Sequence, residues 1–447
     1  MTSTNLKIID CSQYLIIILS LIIFIIAIRV GYEYYQKNTR ESSDIIIGVD
    51  LGSSFSGYSI LTDRILDFES HDKNQIFYSE VILDKETKGG RKIGKQAHYS
   101  RLNLTVIDLY FSHFKKILDK NNEHENTFIE SNIPKGEKVK LDFVIMGFLE
   151  VLIKQVRNDL ELLNLDLKDA KWIIAAPALW NDKGKKYLKN LGNKVQMHNI
   201  DIILEPEAAS LAIFHDKNII KYIITGTKYL IIDARGYTVD FSLNKIIENN
   251  DIEQLAQPKS FRLGSNYINE KIIEIIKEVY GEENIKNFTR TNCIEWENIL
   301  ENIENIKNNL HLVEAENIKL DINLNKSICY TETKSYFGRT YKTEKDDCYK
   351  KYNNINITYN DKAINIPIKL IKDIITHISF DIVSKINKYV VNQSFNLVVL
   401  TGGFSNSLIL KENIRKKLYW KRCYIQSFKS SSRNCNERSS NLWNYTK

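Results

Sequence analysis

The stretch DIIIGVDLGSSFSG at residues 44–57 decides the fold. It is an apolar segment that ends in Asp50 and is followed at once by a turn of small residues. Residues 229–240, YLIIDARGYTVD, repeat this arrangement with Asp233 and a turn that contains one glycine. Residues 398–406, VVLTGGFSN, add a third apolar segment that ends in two glycines. The repeat predicts a duplicated α/β protein with a cleft between two lobes, where backbone amides of the turns can contact phosphate groups.

The order of these motifs resembles the actin, hexokinase and heat-shock ATPase superfamily. In detail it resembles the nucleotide-binding half of the seventy-kilodalton heat-shock proteins, especially their divergent family-twelve branch. Residues 50–57 are similar to the first phosphate motif of that family, residues 204–212, LEPEAASLA, to its connecting motif, and residues 400–406 to its adenosine motif. The resemblance covers about residues 44–418. It implies an α/β, two-lobed, actin-like ATPase fold with duplicated ribonuclease-H-like lobes.

The resemblance also implies that ATP or ADP and Mg²⁺ bind at this site. Asp50 and Asp233 would face hydrated Mg²⁺, and Glu205 would orient Mg²⁺ and the attacking water. Mg²⁺ prefers oxygen ligands and retains waters, so carboxylates can hold it through water. Asp240 would position the attacking water, and Lys115, or equally the lysine after it, would approach the γ-phosphate. From the residues alone, the two later aspartates are also ordinary turn formers at strand ends, and Glu205 is also a helix N-terminal acid.

A larger set of small and polar residues would bind the nucleotide itself. The candidates for the phosphates are Gly52, Ser53, Ser54, Gly236, Thr238, Gly264 and Ser265. The candidates for adenine, ribose and the α-phosphate are Glu304, Lys307, Gly402, Gly403 and Ser405. The i,i+3 spacing of the glutamate and the lysine is equally typical of a surface ion pair on a helix.

The second phosphate motif departs from the family pattern. The family has three successive glycines after its aspartate and one further residue, whereas residues 233–238 read DARGYT and keep one glycine. Arg235 and Tyr237 add side chains and reduce access to positive φ values. Arg235 could contact a phosphate as a fixed cation, but we expect it to crowd the γ-phosphate position. The sequence therefore predicts nucleotide binding with weak or absent hydrolysis.

The N-terminal segment predicts a membrane anchor at residues 12–31. Residues 15–28 are apolar except for one serine, and tyrosines flank the run on both sides. The uncharged stretch approaches the roughly 20 residues that span a bilayer. A cleaved signal peptide is the alternative, although no small-x-small cleavage site follows the run. Greater positive charge after the segment favours a cytoplasmic location for the rest of the chain, with the endoplasmic reticulum lumen as the alternative.

Length and composition agree with a large two-lobed protein. The chain has 447 residues, 43% of them hydrophobic, which is enough for two or three domains. We expect the first lobe at residues 44–228 and the second at residues 229–418, with an outer subdomain at about residues 262–367. Residues 419–447 are predicted as a polar tail. This tail does not resemble the client-binding β-domain of typical chaperones, so we expect the C-terminus to be abbreviated relative to theirs.

Charge and cysteine usage argue against other classes. The net charge of +7 is modest for this length, so no nucleic-acid partner is expected. The six cysteines form no CxxC pair and the histidines lack metal-ligand spacing, which favours free thiols. Cys329 with Cys348 and Cys423 with Cys435 could form disulfides in an oxidising compartment.

Hydrophobic periodicity predicts the individual elements. The predicted strand segments include residues 45–61, 76–83, 171–176, 200–204 and 395–400. The predicted helices are residues 96–118, 142–163, 267–279, 296–310, 368–391 and 407–418.

Three functional hypotheses follow. The first is a membrane-anchored, heat-shock-like ATP-binding protein that acts on an unknown partner or client as a chaperone-like, nucleotide-dependent switch, through closure of its lobes. The alternative is a pseudo-ATPase interaction scaffold that binds no nucleotide. The third, a sugar or small-metabolite kinase of the same superfamily, is disfavoured by the heat-shock-like sequence around Asp50 and Glu205.

Overall fold

The structure is a computed structural model. It describes residues 45–62, 75–118, 126–178, 180–212, 222, 224–248, 251–308, 310, 316–322, 348–352, 355–359, 362–391, 393–418 and 424–427. The predicted anchor at residues 12–31 lies outside these ranges, as does at least one cysteine of each predicted disulfide. No helix within the described ranges is long and apolar enough to cross a membrane.

The described residues form strands and helices with the following bounds. The strands are β1 Ile45–Asp50, β2 Phe55–Thr62, β3 Gln75–Tyr78, β4 Glu80–Asp84, β5 Gly90–Ile93, β6 Asp108–Ser112, β7 Phe128–Glu130, β8 Lys138–Lys140, β9 Ala170–Ala176, β10 Ile200–Leu204, β11 Lys228–Ala234, β12 Val239–Ile246, β13 Ile252–Phe261, β14 Asn317–Asp321, β15 Cys348–Tyr352, β16 Ile355–Tyr359, β17 Ala363–Pro367, β18 Leu397–Thr401 and β19 Tyr424–Ser427. The α-helices are α1 Gly94–Ser100, α2 Lys115–Leu118, α3 Leu141–Glu161, α4 Asp182–Lys194, α5 Glu205–Ala212, α6 Asn266–Tyr280, α7 Glu282–Thr291, α8 Cys293–Asn308, α9 Ile368–Tyr389 and α10 Leu408–Leu418.

Two five-stranded sheets share one design. The first has the order β3-β2-β1-β9-β10 and the second has the order β13-β12-β11-β18-β19. In each sheet the first three strands are antiparallel neighbours, and the last three are parallel. Strands β1 and β11 therefore occupy equivalent central positions. This shared order agrees with the predicted duplication of an α/β lobe.

The central strands are apolar because both of their faces are covered. All six residues of β1 are buried, and so are six of the seven residues of β11. A strand that is buried on both faces reads as a continuous apolar run rather than as an alternating pattern. This explains why residues 45–49 and 229–232 stand out in the sequence. The aspartate that follows each apolar run lies at the C-terminal end of a central strand.

Each sheet has its own hydrophobic core. The first core draws its buried residues from between Ile45 and Ile200, and helix α3 contributes one apolar face to it. The second core draws them from between Leu230 and Ile414, and helix α9 contributes in the same way. Two separate cores of this size are expected when a chain forms two lobes rather than one.

Three smaller sheets complete the described structure. They have the orders β5-β4-β6, β7-β8 and β14-β17-β16-β15. The last of these lies in the range predicted as an outer subdomain. The second large sheet extends past residue 418, the predicted end of the second lobe, because β19 pairs in parallel with β18.

The predicted helix at residues 96–118 is wrong. Helix α1 ends at Ser100, and Asp108–Ser112 forms strand β6, which pairs antiparallel with β4. The apolar residues Ile107, Leu109 and Phe111 have the two-residue spacing of a strand, and all five residues of β6 are buried. The segment is α-helical only at its two ends, as the last part of α1 and as the single turn α2. Tertiary pairing thus overrides a helical reading of the pattern.

Candidate functional site

Two aspartates occupy equivalent places in the two large sheets. Asp50 ends β1, where it pairs with Gly57 of β2 and Ala175 of β9. Asp233 lies one residue before the end of β11, where it pairs with Asp240 of β12 and with β18. Both side chains are almost fully buried. The two predicted strand–Asp–turn units therefore have matching geometry, with a carboxylate at the start of each turn.

Arg235 joins the two aspartates. Its Nε donates to Asp233 Oδ2 over 2.8 Å, and its Nη1 lies 3.1 and 3.2 Å from the two oxygens of Asp50. Nη1 also lies 3.4 Å from Glu205 Oε1. Burial opposes the charge of Arg235, but the surrounding carboxylates outweigh it and hold its pKa well above the usual range. The arginine is thus a permanent cation among three carboxylates that come from β1, α5 and β11.

Lys115 supplies a second cation. Its ammonium group donates to Glu205 Oε1 over 2.8 Å, and both side chains are buried. Burial raises the pKa of Glu205, but Arg235 and Lys115 outweigh that effect and the net shift is downward. Glu205 is therefore ionised at neutral pH. Lys115 thus contacts a carboxylate of the site, and Lys116 Nζ lies 5.8 Å from the centre of the ring of Tyr237 in the second phosphate turn.

Asp240 completes the set of six residues that we call the charged centre, namely Asp50, Lys115, Glu205, Asp233, Arg235 and Asp240. Asp240 is fully buried, and its Oδ2 accepts a hydrogen bond from the Thr238 hydroxyl over 2.8 Å. Burial, reinforced by the charges of Glu205 and Asp233, raises the pKa of Asp240 to about 8. Burial likewise raises the pKa of Asp233 to about 6. Both shifts disfavour the ionised forms of these two carboxyl groups.

The charged centre leaves several buried oxygens without a donor. Glu205 Oε2, Asp233 Oδ1 and Asp240 Oδ1 have no hydrogen-bond partner among the residues that the structure describes. Buried polar atoms in folded proteins are nearly always paired with protein, ligand or water. Unpaired oxygens on three adjacent carboxyl groups can accept hydrogen bonds from water or from a ligand that offers donors, whereas the oxygens of a closed structural ion cluster would all be paired.

The carboxylates do not fit Mg²⁺ as the sequence predicted. Asp50 and Asp233, the expected metal carboxylates, are both bound to the guanidinium of Arg235. In the described part of the chain, no three His, Cys, Asp or Glu side chains are grouped to hold a metal ion directly. A metal held through water would have to displace a paired cation from between these carboxylates. The predicted metal position is a guanidinium position in this structure.

The turn that carries Arg235 is supported from behind by the loop at residues 264–266. The amides of Gly264, Ser265 and Asn266 donate to the carbonyls of residues 237, 235 and 236, over 3.0, 3.0 and 2.6 Å. A Cβ at Gly264 would lie 2.4 Å from the Tyr237 carbonyl carbon, so only glycine permits this approach. Gly264 and Ser265 thus position the second phosphate turn with the very amides that were predicted to face phosphates.

The two predicted phosphate turns face each other. A Cβ built on Gly236 would lie 3.1 Å from the Ser54 hydroxyl, so the second turn approaches the first closely. The Gly52 amide donates to the Ser56 hydroxyl over 3.2 Å, and the Ser79 hydroxyl donates to the Gly52 carbonyl over 2.7 Å. His113 Nδ1 lies 3.1 Å from the carbonyl oxygen of Ser53. The first turn is therefore held in place by polar contacts of its own.

The predicted nucleoside residues form two groups near these turns. Lys307 is buried and its ammonium group lies 2.5 Å from Glu304 Oε2 and 3.2 Å from the Ser265 hydroxyl. The Glu304–Lys307 pair is thus not an exposed helix pair, which was the alternative. Gly402 has a φ of +82°, and a Cβ there would lie 2.3 Å from the Ala234 carbonyl oxygen. The Gly402–Gly403 turn therefore packs directly on the end of β11, with Ser405 donating its hydroxyl to the Gly402 carbonyl.

One polar contact between the two halves of the chain has no signal in the sequence. His98 Nδ1 lies 3.1 Å from Glu80, and its Nε2 lies 3.4 Å from Glu301 of helix α8. Arg101 also binds Glu301, and Asn132 donates to Glu297 of the same helix over 3.0 Å. The partners that contact helix α8 lie 165–203 positions before it in the chain, so no local pattern could predict them. The contact joins the small sheet of β4–β6 to α8 and resists separation of the lobes.

Raising the pH through about 9 should weaken this contact. Burial lowers the pKa of His98, but the hydrogen bonds that the ring donates to Glu301 and Glu80 outweigh it and raise the pKa from 6.5 to about 9. A raised pKa stabilises the fold fully below the unfolded value of 6.5, and the contribution is lost as the pH rises through about 9. The free energy of unfolding of the wild type, relative to His98→Gln, should fall by about 3 kcal/mol across this range. Urea unfolding at several pH values measures it.

The exposed His377 on α9 provides the control. His377→Gln should keep the wild-type pH profile. If His98→Gln keeps that profile as well, His98 is not charged in the folded protein and the contact is a neutral one.

Comparison with known families agrees with this geometry. Residues 46–334 match the family described as Hsp70 protein, which is more than half of the chain. The matched range contains β1, the connecting segment at Glu205, β11 and helix α8, and thus every residue of the charged centre. Members of this family generally use ATP or ADP with Mg²⁺. The chain belongs to the Hsp70 family and carries its nucleotide-binding domain, of the actin, hexokinase and Hsp70 ATPase superfamily.

Proposed function

We propose that this protein is an adenine-nucleotide-dependent switch with a chaperone-like role and weak or absent ATP hydrolysis. The observation that carries the proposal is the convergence of two equivalent strand–Asp–turn units on one charged centre, where the two turns face each other. We assign adenosine to the Gly402–Gly403 turn, which packs on the end of β11, and to the Glu304–Lys307 pair, which contacts Ser265. The family membership supports this choice of ligand.

Weak hydrolysis follows from Arg235. In phosphoryl transfer the protein contributes positioning and electrostatic stabilisation more than covalent chemistry. Arg235 contacts both oxygens of Asp50, Oδ2 of Asp233 and Oε1 of Glu205, so it fixes the orientation of the carboxylates that would otherwise turn towards an attacking water. Asp240, the other candidate for that role, is fully buried, and its burial together with the charges of Glu205 and Asp233 disfavours its ionised form.

The switch would act through the approach of the two lobes. A nucleotide between the facing turns would add contacts across the same gap that His98, Arg101 and Glu301 span. Because a ligand shifts an equilibrium only through its different affinity for two states, the closed arrangement must bind nucleotide better. The proposal also includes an unknown client or partner, and an anchor at residues 12–31 that leaves the domain in the cytoplasm. Retention of the full-length chain in membranes after alkaline carbonate washing would test the anchor.

Adenine nucleotide should raise the stability of the full-length chain. A site with a Kd of ~1 μM should stabilise the fold by about 2.7 kcal/mol at ~100 μM ligand, through mass action. Gly403→Trp should abolish this gain, because the indole would fill the nucleoside position. Thermal unfolding with and without ADP or ATP measures both effects. Gly89→Trp, in the turn between β4 and β5, is the matched control and should keep the full gain.

The charge balance of the centre favours one alternative, a pseudo-ATPase scaffold that binds no nucleotide. Arg235 and Lys115 already pair with Asp50, Asp233 and Glu205, so the fold does not need a ligand to neutralise them. Absence of any thermal shift with millimolar ATP or ADP, in a folded sample, would select this alternative.

A further inference from the structure

We propose that Arg235 is a tethered replacement for the metal ion, so that the site takes a nucleoside diphosphate free of Mg²⁺. The inference rests on the proposed nucleotide binding and specifies the form of the ligand. It explains why the carboxylates of an Hsp70-type site converge here on a side chain.

The guanidinium occupies the shared position of the three carboxylates. Asp50, Glu205 and Asp233 come from three separate elements, and each has an oxygen within 3.4 Å of Nε or Nη1 of the same arginine. A divalent ion would need that position for itself and its waters. Arginine holds such a position permanently, because it keeps its charge at every physiological pH and its planar fork matches carboxylates.

The guanidinium also has capacity for a phosphate. Its contacts with the described residues use Nε and Nη1, while Nη2 takes part in none of them, so two N–H donors remain. The turn that carries Arg235 also approaches Ser54 of the first phosphate turn, and we place the phosphate of the ligand against these two turns and Nη2. An N–H of a charged arginine that meets a phosphate oxygen forms one of the stronger hydrogen bonds in proteins.

The replacement should change the preferred nucleotide. A guanidinium carries one positive charge where Mg²⁺ carries two, and part of that charge is already balanced by Asp50 and Asp233. It therefore compensates fewer phosphate charges. We expect ADP to bind more tightly than ATP when no divalent ion is present, which is the reverse of the order expected if charge attraction to a free cationic site dominated.

Calorimetry of the full-length chain tests the inference. ADP should bind the wild type with affinities that differ by less than about threefold between millimolar MgCl₂ and excess EDTA. In Arg235→Gln, ADP affinity in EDTA should fall at least about tenfold, and MgCl₂ should restore part of it. Arg290→Gln, at an exposed position of α7, should behave as the wild type.

The outcomes distinguish a failure of the metal replacement by Arg235 from a failure of the proposed nucleotide binding. Wild-type affinity that rises tenfold or more with MgCl₂ would overturn the metal replacement and leave the nucleotide site standing. An absence of ADP binding under both conditions would overturn the proposed function and this inference together.

A titration with Mn²⁺, followed by electron paramagnetic resonance, measures metal binding by the protein in the absence of nucleotide. The wild type should leave the Mn²⁺ signal free, whereas Arg235→Gln should bind the ion through the released carboxylates of Asp50 and Asp233. Equal binding by the two proteins, or binding by neither, would contradict the assignment of Arg235 to the metal position.

Discussion

Replacing Arg235 by methionine should lower the free energy of unfolding of the full-length chain by about 3–5 kcal/mol. Removal of one partner from a buried ion cluster leaves uncompensated charges, and a cost of this size is typical. Here the guanidinium is shared by Asp50, Glu205 and Asp233, so its loss leaves three carboxylates close together. Urea unfolding followed by tryptophan fluorescence measures the change. The exposed Arg290→Met should change stability by less than about 0.5 kcal/mol.

A second substitution should restore part of the loss. Asp50→Asn in the Arg235→Met background removes one of the unpaired charges and keeps the size of the side chain. The double variant should be more stable than Arg235→Met alone, because neighbouring residues couple in this way. A loss below about 1 kcal/mol for Arg235→Met, with no rescue, would show that the carboxylates do not depend on the arginine for charge compensation.

Opening the second phosphate turn should create hydrolysis. Arg235→Gly with Tyr237→Gly restores the glycine pattern of the family and frees Asp50 and Asp233 from the guanidinium. Because misplacement of a reacting group by about 1 Å can cost on the order of 100-fold in rate, single-turnover hydrolysis of ATP in MgCl₂ should rise by about that factor. The wild type should remain far below the roughly 10 per second of a typical enzyme.

Glu205 provides the control for this gain. Glu205→Ala added to the double glycine variant should abolish the increase, since the freed carboxylate would orient the attacking water. If the double glycine variant folds and binds ATP but hydrolyses it no faster, Arg235 is not what prevents hydrolysis. A slower rate would show that Arg235 itself stabilises the transition state.

The sequence predicted most of the architecture because the signals were local. Runs buried on both faces read as continuous apolar stretches, so β1 and β11 were recognisable together with the aspartates that end them. The helices now seen at α3 and α9 have regular apolar faces over about 20 residues and were predicted within two residues. The helix predicted at residues 96–118 was wrong because the spacing of the apolar residues fits both the helical and the strand period. The pairing of β6 with β4 decided in favour of the strand.

The candidate site was predicted as a set of residues but not as a set of contacts. Glu205 and Lys115 were selected by resemblance, and the structure brings them within 2.8 Å across 90 positions of chain. The direction of Arg235 was not predictable, because Asp50 lies 185 positions away and only the folded chain brings the two together. The sequence suggested that Arg235 crowds the γ-phosphate position, whereas the side chain turns towards the carboxylates. The contact of His98 with Glu301 was not predicted for the same reason of distance along the chain.

The most direct test of the account is a crystal structure of the full-length chain grown with ADP and MnCl₂. We expect ADP between the turns at residues 52–54 and 402–403, with Arg235 Nη2 about 2.9 Å from a phosphate oxygen. We expect no anomalous peak for manganese between Asp50 and Asp233. A manganese ion at that position, with Arg235 displaced from both aspartates, would contradict the account, and so would a structure in which ADP binds elsewhere.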